Sequence, residues 1–245
     1  MAATQLATTP GTTTSTRTAA VVAGIGYVAI FVLAIFANFM VREGLIEPGD
    51  AAATATNIRD SEALFRAGTV AFLAVFVIDI AVAWGLWIVF RSANRDISLL
   101  SAWSRLMYTV FLGVAVVFFY MVLELVSDAD SFEGFGAGQV DAQVMLLLDA
   151  FNFTWLVGLV AFGLHLILVG YLILKSRLAP KLLGYILIVA GTAYIVDTLA
   201  VGLVANYQDY ADAFLAMVAA PSIIGEMWLG LWLLLRAGRE EREVA

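Results

Sequence analysis

Six long apolar stretches divide the chain, at 19–41, 66–90, 104–126, 151–174, 181–204 and 213–235, and the polar segments between them alternate in the sign of their charge. Each stretch exceeds the roughly 20 residues that a helix needs to cross a hydrocarbon core of about 30 Å. The apolar residues run continuously rather than at every second position. Helices satisfy their own backbone hydrogen bonds in lipid, whereas barrel strands would read as short alternating segments. The pattern therefore predicts an all-α integral membrane bundle of six transmembrane helices. It organises the chain as a disordered tail (1–18), a membrane domain (19–236) and a short charged tail (237–245).

Charge adds an orientation. Ten of the 13 Lys and Arg residues fall on one side: Arg17, the groups around Arg91, Arg95 and Arg105, those around Lys175, Arg177 and Lys181, and the three after residue 235. Arg42, Arg59 and Arg66 fall on the other. Excess Lys and Arg marks the cytoplasmic side, so both termini are expected there, in a cytoplasmic membrane. Trp87, Trp103 and Trp232 come near the cytoplasmic ends of their spans, where indoles favour the interface. The first span is too long for a cleavable signal core and is read as an anchor.

Composition removes several classes of function. Apolar residues make up 62% of the chain, charged residues 13%, and cysteine is absent. Disulfides, thiolate metal sites and cysteine nucleophiles are therefore ruled out. No basic surface for nucleic acid is present. A zinc hydrolase or a bis-histidine haem site needs more than the lone His165. Ser222 with His165 lacks a glycine-flanked nucleophile motif, and Asp79 with Asp197 lacks an aspartyl-protease signature. No catalytic constellation, cofactor or metal site is read.

The outer loops carry local signals. Pro48-Gly49-Asp50 is a turn, and 51–65 is free of Pro and Gly, so a helix capped by Asp50 is expected. Arg59, Glu62 and Arg66 share one face of it. It is either a solvated connector or a gate over the outer mouth, with Arg66, Asp50 and Asn57 as the gate residues. The segment 127–150 reads as an acidic, glycine-rich loop. Asp128, Asp130 and Glu133 faintly suggest calcium ligands without the spacing of an EF-hand. Gly163 and Gly170 lie seven apart on one span, as do Gly184 and Gly191 on the next, with Thr198 continuing that stripe, a spacing that lets helices approach closely in lipid. Val77-Ile78-Asp79 and Ile195-Val196-Asp197 hint at an inverted repeat.

The candidate chemistry is inside the membrane. Asp79, His165 and Glu226 each come out about 20 Å from the outer boundary at 1.5 Å per residue, and Asp197 about 10 Å. Glu124 lies near the outer end of its span. Charged groups at such depth face a bundle interior or water. Four acids confront one potential cation, His165, with no Lys or Arg counted deep in any span. The acids are thus neutral, hydrated, or matched by a bound cation or cationic ligand. The functional reading is a proton relay, an ion or amine site, or the floor of a ligand pocket. On the structural reading the same groups only join helices, at about 0.6 kcal/mol each. Tyr120 and Tyr194 are possible supporting hydroxyls.

Gly163-Leu164-His165, Val169-Gly170-Tyr171, 178–184 (LAPKLLG), Ala190-Gly191 with Tyr194, Gly225-Glu226 and Trp232-Leu233-Leu234 resemble a bacterial family of multi-span membrane proteins, defined only as a domain of unknown function (number 4386). Gly49-Asp50, Ala53-Thr54, Asn57-Ile58 and Leu64-Phe65-Arg66 extend the resemblance to the N-terminal half. The resemblance implies a six-helix membrane domain whose pattern includes Asp50, Asn57, Arg66, His165 and Glu226. It transfers no activity.

Overall fold

The computed structural model describes residues 14–127, 134 and 136–238. The calcium-like acids Asp128, Asp130 and Glu133, and most of both expected tails, lie outside that set. Six helices are long and apolar enough to cross a membrane: α1 (Thr16–Leu45), α3 (Glu62–Phe90), α4 (Arg95–Ser127), α5 (Ala137–Ser176), α6 (Lys181–Leu203) and α7 (Ala211–Leu235). A shorter helix, α2 (Ala51–Asp60), joins α1 to α3. The all-α six-span architecture is thus as expected.

Several helices begin earlier than hydropathy suggests. α4 starts at Arg95 rather than near 104, so Arg105 sits almost three turns inside it. α5 starts at Ala137, which makes most of the expected loop helical. Its added turns are held by Val144, Leu148 and Phe151, spaced i, i+4, i+7 and buried. The side chain of Gln139 accepts from the backbone N–H of Gly136 (3.2 Å) and closes the first turn. The connector helix ends at Ser61, whose φ of −121° and ψ of 34° break it from α3. Asp50 does cap it, accepting from Ala53 N–H at 2.9 Å.

The six long helices form a closed ring. Each packs on its neighbour in sequence, and α7 returns to pack on α1. Arg17 fastens that seam by donating to the carbonyls of Leu233 (3.1 Å), Leu234 (2.5 Å) and Ala237 (3.1 Å) at the end of α7. Such a cation satisfies orphan carbonyls and complements the helix dipole. The described ends of the chain consequently share one end of the bundle. The α5–α6 hairpin is the closest pairing: a Cβ on Gly163 would lie 2.5 Å from the carbonyl of Gly191, and one on Gly170 would lie 2.5 Å from that of Gly184. Thr198 continues the stripe, donating across to the carbonyl of Leu156 (3.3 Å).

Two hydrophobic cores fill the ring. At the terminal end Phe90, Leu172, Leu183, Leu187, Trp232 and Leu233 pack together. At the loop end the core is made by α1, α2, α3, α4 and α5, through Val41, Ile58, Phe65, Phe119 and Phe151. α6 and α7 contribute nothing to this second core, and Leu203 and Leu215 at their loop ends are exposed. Pro221 also interrupts the hydrogen-bond ladder of α7. Between the two cores lies a polar layer.

Candidate functional site

The polar layer is centred on Arg105, a residue that hydropathy places at the very edge of a span. Its side chain is 2% exposed. The count of one potential cation among the acids is therefore corrected: an arginine lies deep in the bundle because α4 begins well before its apolar run. Arg105 donates Nε–H and Nη2–H to Asp79 Oδ1 at 2.8 and 2.5 Å, and Thr109 donates its hydroxyl to Asp79 Oδ2 at 2.5 Å. The remaining guanidinium nitrogen donates to the Tyr27 hydroxyl (2.8 Å) and to His165 Nε2 (3.2 Å). The guanidinium also lies over the rings of Tyr27 (4.8 Å) and Phe162 (5.3 Å).

His165 is buried, and its partners define its tautomer. Nδ1 lies 3.0 Å from the Ser101 carbonyl, an acceptor, so Nδ1 carries the hydrogen and Nε2 receives the bond from Arg105. The histidine is therefore neutral, and it joins α5 to α4. Asp79, Arg105 and His165 form one satisfied network holding α1, α3, α4 and α5 together. The signal for it was in the sequence: Ser98, Ser101, Arg105 and Thr109 recur at i+3 and i+4, directly in line with the buried Leu112, Val116 and Phe119.

Glu226 on α7 is different. It lines a cavity of about 190 Å³ together with Asp79, Arg105, Tyr27, Tyr108 and Tyr194. The Tyr194 hydroxyl donates to it at 3.5 Å, the long limit for such a contact. Among the described residues no Lys, Arg or His lies within 4 Å of its carboxylate. Trp155, Leu159 and Phe162 of α5 and Phe31 of α1 supply apolar walls. All six long helices reach the cavity.

The other expected site residues lie elsewhere. Asp197 accepts from the Tyr207 hydroxyl (2.7 Å) at the loop end of α6 and does not line the cavity. Glu124 is exposed on the outside of α4, as is Tyr120. Arg66 donates to Glu62 Oε1 (2.6 Å) and the Ser127 hydroxyl (3.2 Å), not to Glu124. Asn57 donates to the Leu45 carbonyl (3.2 Å), fastening α2 to the end of α1. Asp79 and Asp197 occupy unlike surroundings, so the short aliphatic-Asp match marks no common site.

A second arginine also lies inside the ring. Arg42 ends a π-helical stretch, Phe36–Arg42, and donates to the side-chain oxygens of Asn38 (2.9 Å) and Asn152 (2.8 Å). It lies over the rings of Phe151 (5.1 Å) and Trp155 (5.3 Å), on the loop side of the cavity. Its Nε–H is buried with no hydrogen-bond partner among the described residues.

This architecture defines a class: an all-α bundle of six helices of membrane-spanning length, enclosing a polar layer. Within that class the chain belongs to the family described as Domain of unknown function (DUF4386), whose model matches residues 22–237. It is 27% identical over 175 residues to an uncharacterized protein of Archaeoglobus fulgidus, an alignment that covers 71% of this chain and 86% of that relative. No solved structure matches the chain.

Proposed function

We propose that the bundle binds a small ligand, proton or cation at Glu226, within the cavity of the polar layer, in a cytoplasmic membrane with both termini cytoplasmic. One observation carries this reading: a carboxylate lines a partly open cavity with no Lys, Arg or His within 4 Å among the described residues, beside an arginine already committed to Asp79. A carboxyl group in such surroundings needs a proton, water or a counter-ion. Asp79 and His165 serve the site by fixing Arg105. Asp197 and Glu124 belong to the loop-end rim, and α2 with Asp50, Asn57 and Arg66 covers that end.

The test is native mass spectrometry of protein taken from its own membrane, paired with infrared spectroscopy of the carboxyl groups after a pH jump. A retained small mass, or a carboxyl signal that responds to the jump, is expected in the wild type and absent from Glu226→Gln. Identical spectra for the two proteins would overturn the reading. That outcome would favour a structural or regulatory subunit, a reading that draws on the mutual hydrogen bonding of Asp79, Arg105 and His165.

A further inference from the structure

Resting on the reading of Glu226 as the binding group, we infer that its ligand is a small organic ammonium ion. Arg105 and Asp79 cancel in charge, and four of the five guanidinium N–H groups are already donated. Little is left for an anion to take. Glu226 in its ionised form adds a negative charge that, among the described residues, has no Lys, Arg or His within 4 Å. The cavity therefore favours a cation.

The walls decide between kinds of cation. A bare metal ion needs six or more oxygen ligands, or a cluster of His and carboxylate groups. Among the described residues no group of three or more His, Cys, Asp or Glu is placed to hold a metal. Beside the Asp79–Arg105 pair, the cavity instead presents the Glu226 carboxylate among aromatic rings: Tyr27, Tyr108, Trp155, Phe162 and Tyr194, from four helices. Two of these rings already hold the guanidinium of Arg105, which establishes the layer as a setting for cations on aromatic faces. Alkylammonium groups combine charge with an apolar surface, and aromatic walls with an acidic group are the usual means of recognising them. Tyr194, donating to Glu226, ties the carboxylate to that wall.

Volume sets the size. A cavity near 150 Å³ holds benzene, so about 190 Å³ suits a cation of roughly five to eight non-hydrogen atoms.

The experiment uses the full chain in dodecyl maltoside, a detergent without ammonium groups. Isothermal titration compares tetramethylammonium and n-butylammonium with two neutral molecules of similar shape, neopentyl alcohol and 1-pentanol. Both ammonium ions are expected to bind and both alcohols to fail. Glu226→Gln should weaken ammonium binding by roughly tenfold or more, the loss of one charge-assisted contact. Glu226→Asp, which keeps the charge, should retain part of it, and thermal unfolding reports whether each variant is folded. The comparison of ammonium with alcohol on the wild type needs no variant. Equal binding of alcohols and ammonium ions would overturn the ammonium assignment while the cavity stood as a binding site. The ammonium assignment alone also falls if no probe binds yet a native small mass is still lost from Glu226→Gln. Silence of every probe, with wild type and Glu226→Gln alike in the mass spectra, would overturn both.

Discussion

Arg105 and Asp79 illustrate how a buried charge is tolerated in an apolar bundle. Each charge sits at about 1% exposure, and the pair is held by two hydrogen bonds to one oxygen, with Thr109 on the other. Removing one partner strands the other, which costs about 3–5 kcal/mol in buried pairs, whereas replacing both by apolar groups is often tolerated. Asp79→Leu and Arg105→Met are each expected to lower the unfolding temperature strongly, and the double variant to recover much of the loss. Additive losses in thermal unfolding would show that the two groups act separately. Only half of this site was legible in the sequence. Asp79, His165 and Glu226 stand out because isolated ionisable residues interrupt apolar runs. Arg105 does not, because it lies at the very edge of a run, and a hydropathy window cannot tell a buried helix end from a loop. The periodicity of Ser101, Arg105 and Thr109 was the available sign.

At the level of helices, length was the least legible property and pairing the most. The polar first turns of α4 and α5 lack apolar continuity, so the spans read shorter than the helices that carry them. The α5–α6 glycine stripe, by contrast, follows directly from a periodicity of seven and a tight hairpin. Backbone contact at Gly163 and Gly191 leaves no room for a side chain. Gly191→Leu is expected to separate α5 from α6 and abolish recovery of folded protein by fluorescence-detected chromatography. Gly202→Leu, where nothing lies within 4 Å, should be recovered normally. Equal recovery of the two would contradict the packing.

The whole molecule is a ring whose two described ends meet through Arg17, and the proposal that this end faces the cytoplasm rests on the distribution of Lys and Arg. Reporters of cytoplasmic location fused at residue 16 and after residue 238 should both be active, and reporters in 46–50 inactive. The opposite pattern would invert the molecule in the membrane without altering its packing. The clasp by Arg17 also has a meaning for synthesis. The helices from α1 to α6 can enter the bilayer in turn and begin to pair, but α1 has no lasting partner on one flank until α7 arrives. Glu226 travels on that final helix, so it is synthesised after every residue of the arginine layer. Without α7 the ring is open on one side, and the pocket has all its walls only once that helix has closed it.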